Sequence, residues 1–220
     1  MIFPLAAVLL SAIAFNAAAQ SSALEPLPIV LPKPLFEGTP EPPNVPNLEK
    51  PLGRPRPPFL APVGAANVAL KKPVAASDSD PVIGNLDMIA DGNKAATDGS
   101  IVELKPGVQS VVIDLESKHT IYAVLVWHYH KEARVYHDVV VQVADDPDFI
   151  TNVRTLFNND SDNTAGMGIG KDRHYVETAE GRLIDAKGVE AHYIRFVSNG
   201  SDKTKANHYV EIEVFAKPVK

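Results

Sequence analysis

The stretch from Ile121 to Val143, IYAVLVWHYHKEARVYHDVVVQV, limits the fold more than any other part of the chain. Two runs rich in Val, Ile, Tyr and Trp flank a polar break at Lys131-Glu132-Ala133-Arg134, the composition of neighbouring β-strands rather than of a helix. Side chains alternate along a strand, so Val124, Val126, His128 and His130 face one way while Leu125, Trp127 and Tyr129 face the other. The first run therefore begins apolar on both faces and ends polar and aromatic. A strand that starts in a core and ends at a rim brings imidazole, phenol and guanidinium groups to one edge of a β-sandwich. None of these residues forms a catalytic signature.

Similar short runs recur between turn signals over the rest of the C-terminal two-thirds. Val68–Ala76, Ser110–Leu115, Ile121–Tyr129, Val135–Val143, Val153–Phe157, Tyr175–Thr178, His192–Ser198 and Tyr209–Phe215 read as strands or short extended pieces. Arg182–Ala191 is ambiguous, and Asn158–Lys171 reads as a long loop. No amphipathic helix lies between them, so an all-β antiparallel β-sandwich or jelly roll is predicted. The formal charge of −6 argues against a general nucleic-acid or anionic-membrane binder. With no cysteine, disulfides, thiolate metal sites and cysteine nucleophiles are excluded.

Upstream the composition changes twice. Residues 1–19, MIFPLAAVLLSAIAFNAAA, are apolar and uncharged and end in Ala17-Ala18-Ala19, which predicts a secretory signal peptide and a secreted or periplasmic protein. The alternative is an uncleaved membrane anchor. Thirteen of the 19 prolines fall between Pro26 and Pro62. Residues 20–64 are accordingly expected to form a Pro-rich disordered linker, an extended tether without the amide donors of helix or sheet. The folded domain is expected over residues 65–217.

The order NVALKKPV, ADGN with a Thr shortly after, VVIDLESKHTIYAVLVW, VQVADDPDF, AHYIRFVSNG and VEIEVFA resembles the coagulation factor 5/8 type C, or discoidin, domain. That domain is the galactose-binding-like jelly roll also used by family 32 carbohydrate-binding modules, and the resemblance covers essentially the whole folded part. It implies an exported, non-catalytic binding module for carbohydrate or cell-surface glycan. It also implies a structural Ca2+ ion held by Asp91, Asn93 and Thr97 with Glu211 from the last strand. An Asp/Asn/Gly loop suits calcium, which takes six to eight oxygen ligands. Thr97 sits one residue later than the family spacing, and the alternative is a loop held by Asx-turns without metal.

Sugar recognition needs an apolar surface for C–H groups and planar donors for hydroxyls. His128, His130, Arg134, Tyr136, Asn199 and His208 are the ligand-binding candidates, with Trp127 expected in the core. Two alternatives stand beside this one. A sandwich of this kind can serve as a protein-interaction or structural domain with a protein partner. His128 and His130, two apart on one strand face, can also chelate a transition metal with His137 or Asp138. The GMGIGK run is not a P-loop, and Glu211 and Glu213 share a strand face with no evident partner.

Overall fold

The computed structural model describes residues 23–35 and 43–219. The expected signal peptide lies outside them, and among the described residues no helix is long and apolar enough to cross a membrane. The strands in chain order are β1 (Leu24–Pro26), β2 (Leu60–Pro62), β3 (Ala66–Asn67), β4 (Val74–Ala76), β5 (Val102–Leu104), β6 (Gln109–Trp127), β7 (Val140–Ala144), β8 (Arg154–Asn158), β9 (Arg182–Ser198), β10 (Asn207–Tyr209) and β11 (Glu211–Pro218). A short 3-10 helix, Leu86–Ala90, precedes β5. The main sheet runs β3-β11-β6-β9-β7-β8, with β4 also on β6; β1 pairs with β2 and β5 with β10, all antiparallel.

Two long strands turn this sheet into a sandwich. The pairing of β6 with β9 runs from Gln109↔Ser198 to Asp114↔Tyr193, slips, and resumes from His119↔Ala191 to Val126↔Arg182. At the slip Glu116 has φ 62, and at a second slip, between Ile121 and Ala123, the facing residues Lys187 and Gly188 of β9 have φ 54 and 74, so the paired strands bend across this stretch. Val111, Ile113 and Leu115 before the bend and Ile121, Val124 and Val126 after it are all fully buried in one core cluster. The two halves of β6 thus lie on opposite walls of that core. Each such side chain contributes roughly 1.5–3 kcal/mol on burial. Both ends of the long strands meet again: the Ser198 hydroxyl at the end of β9 lies 3.0 Å from the Tyr209 hydroxyl. The Tyr209 ring is 5.0 Å from that of His128, the residue following β6. The connections after β6, β9 and β10 therefore converge on one end of the sandwich.

Three sequence expectations change in detail. Val68–Ala76 is strand only from Val74, as β4, because a turn with Lys71 at φ 59 interrupts it, and β3 ends ahead of it at Asn67. Val135–Val143 becomes strand only from Val140, because Asp138 takes φ 53 and breaks the extended run. Ser110–Leu115 and Ile121–Tyr129 are halves of a single strand.

The largest difference concerns the Pro-rich segment, expected as a disordered linker. Parts of it lie against the sandwich, although many of its described residues are exposed. Ala123, Leu125, Trp127 and Phe215 point outward from β6 and β11, and Leu27 and Ala61, with Phe59 and Ile29, cover them in a second apolar cluster. Proline lacks an N–H, but the residues between prolines do not: Leu27 N–H donates to Phe59 O at 2.9 Å and Val63 N–H to Ala23 O at 3.0 Å. Farther along, Leu48 bridges to His174, with Glu49 N–H donating to His174 O at 2.8 Å. The Arg56 guanidinium donates to the carbonyls of Gly181 at 2.8 Å and Glu180 at 2.9 Å. Both faces of the second half of β6 are thus buried, which accounts for the apolar start of that run on both sides.

Candidate functional site

At the convergent end, four of the six ligand-binding candidates come together. Arg134 Nη1 donates to the Tyr136 hydroxyl at 3.5 Å and approaches His208 Nδ1 at 3.4 Å. The Tyr136 hydroxyl lies 3.0 Å from the same Nδ1. With two donors aimed at Nδ1, that nitrogen carries the lone pair, and the proton sits on Nε2 facing Glu103 Oε2 at 3.1 Å. Burial and the neighbouring Arg134 lower the His208 pKa, which also favours the neutral ring. Arg134 is further held by Glu132 and lies 4.7 Å over the Tyr129 ring, a cation–π contact.

His128, expected at the open rim, is buried beneath this group at 1% exposure. Its Nδ1–H donates to Glu177 Oε1 at 2.6 Å, and its ring stacks on Tyr136 with centroids 4.4 Å apart. Tyr136 is equally buried, and burial raises its hydroxyl pKa far above the usual phenol range. Both residues support the rim rather than line it. His130 turns elsewhere and donates from Nε2 to Lys94 O at 2.9 Å. Asn199 bonds the Asp138 carboxylate at 2.8 Å, one connection away from the cluster. Arg134 and His208, with Glu103, Tyr129, Ile83 and Ile101, enclose an opening of about 220 Å³. Glu103 lies on β5, far upstream of the other polar residues, and nothing in its local pattern marks it before the pairing of β5 with β10 is known.

The alternative of a His-based transition-metal site is not formed. His128 Nδ1 is engaged by Glu177, His130 faces Lys94, and His137 packs edge-on against His174. Among the described residues, these histidines belong to no convergent group of three potential ligands. Trp127 is fully buried, as expected of a core residue, and donates from Nε1 to Ala179 O at 3.0 Å.

The expected calcium residues divide into the loop residues and Glu211; in the loop, Asp91 Oδ1 accepts from Asn93 N–H at 2.7 Å. Gly92 N–H donates to Glu211 Oε2 at 3.0 Å, so the Asp91-Gly92 turn sits against the last strand. Glu211 Oε1 is buried with no hydrogen-bond partner. Burial, with Glu213 and Asp91 nearby, pushes its pKa up to about 8. Asn93 Oδ1 accepts from Ala95 N–H at 3.1 Å, and the Thr97 hydroxyl lies 3.1 Å from that of Ser100, so these two side chains serve local turns. Glu213, which has no evident partner in the sequence, pairs with Lys94 at 2.6 Å. Lys94 also lies 5.4 Å over the Trp127 ring.

Comparison with protein families finds no match, and comparison with curated proteins finds none either. Solved structures do match. A family 89 glycoside hydrolase from Clostridium perfringens, in complex with 2-acetamido-1,2-dideoxynojirmycin, gives a TM-score of 0.50 at 17% identity, covering 70% of this chain and 15% of that one. The CBM32 of AlyQ in complex with 4,5-unsaturated mannuronic acid gives 0.49 at 19% identity, covering 65% and 93%. A Streptococcus pneumoniae fucose binding module gives 0.47 at 18%, covering 68% and 96%. The likeness is one of fold, the antiparallel β-sandwich expected from the sequence.

Proposed function

We propose that the chain is an exported, non-catalytic carbohydrate-binding module that takes one sugar residue into the opening at the convergent end of the sandwich. The observation that carries this reading is the Arg134 guanidinium, stacked on Tyr129 and set beside the His208–Glu103 pair. Ile83 and Ile101 complete the wall. An aromatic and aliphatic surface receives the C–H face of a sugar ring, Arg134 donates to ring hydroxyls, and Glu103 accepts from them. At about 220 Å³ the opening is smaller than pockets that enclose drug-sized ligands, which suits a single terminal residue. The internal bonds among Arg134, Tyr136 and His208 fix these groups before the ligand arrives, so little ordering cost remains at binding.

Calcium is part of the proposal. The buried, unpartnered Glu211 Oε1 beside the Asp91 turn supports it, because a hard cation would satisfy that oxygen and stabilise the charged carboxylate. Export rests on the apolar stretch ending at Ala19. A glycan array probed with calcium present and then chelated tests the reading. Glycan binding that falls at least tenfold in Arg134→Ala, with the unfolding transition unchanged, is the expected result. Failure to bind any glycan in either condition would instead favour a protein partner.

A further inference from the structure

Three groups that can carry charge near neutral pH line the opening at the rim, Glu103, Arg134 and His208, and their charges do not cancel. His208 is neutral, its Nδ1 accepting from the Tyr136 hydroxyl at 3.0 Å and its Nε2–H donating to Glu103 Oε2 at 3.1 Å. Arg134 is matched by the Glu132 carboxylate, and its Nη1 is spent on Tyr136 and His208. Lys105 pairs with Asp78 at 2.8 Å and Lys131 approaches Asp98 at 3.9 Å, so neither lysine neutralises the opening. Glu103 is left as the unmatched charge. We infer that, given the rim as the sugar site, it selects a sugar residue carrying a free amine, bound as an ammonium against Glu103.

The Glu103 carboxylate is within reach of a ligand. Its Oε2 holds His208, its Oε1 is bonded to no described residue, and the side chain is 25% exposed. It is also fixed in place. Glu103 stands opposite His208 in the pairing of β5 with β10, and on the other edge of the strand its N–H donates to Ile83 O at 2.9 Å. A carboxylate held by its backbone and by one imidazole loses little freedom when a ligand arrives. An ammonium donates charge-assisted hydrogen bonds, which are shorter and about twice as strong as those of a neutral hydroxyl. Ile83, Ile101 and the Tyr129 ring line the same opening and receive the C–H face of the sugar.

The same arrangement disfavours the other classes of sugar. N-acetylation removes the charge and adds an acetyl group in an opening of only about 220 Å³. A uronate brings a second carboxylate beside Glu103, where the one guanidinium is already paired with Glu132. A neutral sugar keeps the hydroxyl contacts and gains nothing from the unmatched charge.

The test is calorimetric titration of the full chain at about pH 6.5, in low and in high salt. There the sugar amine is largely protonated, while His208, its pKa lowered, stays largely neutral. The ligands are glucosamine and galactosamine, their N-acetyl forms, glucose and galactose, and glucuronic and galacturonic acid. The expected result is an amino sugar bound about tenfold more tightly than its N-acetyl and neutral counterparts, with uronates weakest and the preference smaller in high salt. In Glu103→Gln the ratio of amino-sugar to neutral-sugar affinity should fall to near one, whatever the absolute affinities. Neutral sugars bound as tightly as amino sugars, uronates bound most tightly, or a ratio unchanged in Glu103→Gln would each overturn the inference and leave the rim as a sugar site. Binding of no sugar of any charge overturns both. Should Glu103→Gln fail to fold or to bind, Glu132→Gln decides: freeing Arg134 must narrow the gap between amino sugar and uronate, and an unchanged gap overturns the inference.

Discussion

The two faces of the second half of β6 are buried by different means. The inner face, with Ile121, Val124 and Val126, meets the first half of the same strand across the sandwich core. The outer face, with Ala123, Leu125 and Trp127, meets Leu27, Phe59 and Ala61 from a segment with almost no regular structure. A strand can therefore be apolar on both sides without lying in a parallel sheet, provided an irregular segment supplies the second cover. The inner interface is held by ladders on both sides of each strand, and the outer one by a two-strand pairing and a few side-chain anchors.

That contrast is open to measurement by urea unfolding. Ile113→Ala, fully buried in the inner core, is expected to cost about 2–5 kcal/mol. Leu27→Ala, 8% exposed under the outer cover, is expected to cost less, about 1–3 kcal/mol at the low end of large-to-small changes. Both are expected to lower the same cooperative transition. An effect of zero at Leu27 would mean that the Pro-rich segment is not part of the folding unit.

Glu211 sharpens the comparison, since it stands on the outer side of β11 with Glu213 and Phe215. Its pKa is raised from 4.5 to about 8, first by burial. Between those values the folded chain keeps a proton that the unfolded chain has released, so stability falls as pH rises through that window and is recovered below it. Melting temperature is thus expected to decline from pH 5 to pH 8 in the presence of a chelator. Calcium is expected to reverse the decline at pH 8 and to have little effect at pH 5. Glu211→Gln should flatten the pH dependence and abolish the calcium response; a calcium response that survives this change would place the ion elsewhere.

Gly181→Ala probes the outer face from above. The residue has φ 64, and an added Cβ would approach the Trp127 ring to 2.5 Å, so both the backbone and the contact resist the change. A loss of about 1–3 kcal/mol is expected from backbone strain and overpacking together, accompanied by a shift in Trp127 emission. Unchanged emission would show that the 179–181 segment does not rest on the indole.

The sandwich itself is legible in the sequence because alternation along β6, β9 and β11 is dictated by burial on a fixed face, and the motif order adds the topology. The bend that joins two runs into one strand is not legible, since it rests on Glu116 adopting positive φ where no glycine marks it. The rim is half legible. Arg134, Tyr136 and His208 carry the right chemistry, but alternation alone cannot tell that His128 is capped by Glu177, 49 residues later, or that His130 leaves the strand face after β6 ends at Trp127. The docking of parts of the Pro-rich segment is not legible for a plain reason. Proline content reports the donors a segment lacks, whereas Leu27, Leu48, Phe59 and Arg56 between the prolines decide whether it docks.

The anchors of that segment differ in strength, and the weakest gives the smallest effect. The Glu49–Arg182 pair spans 2.7 Å, but its side chains are 37% and 24% exposed, so solvent screens the attraction. Glu49→Gln is therefore expected to cost under about 1 kcal/mol, and less still in high salt. Arg56 is different in kind. Its guanidinium donates to two backbone carbonyls, and truncation to alanine leaves those acceptors to find water at a half-covered surface. Arg56→Ala should exceed Glu49→Gln in cost and should be nearly insensitive to salt, as measured by the urea midpoint at low and high ionic strength. The reverse order, or a strongly salt-dependent Arg56→Ala, would mean that long-range charge rather than directed hydrogen bonds holds the segment on the sandwich.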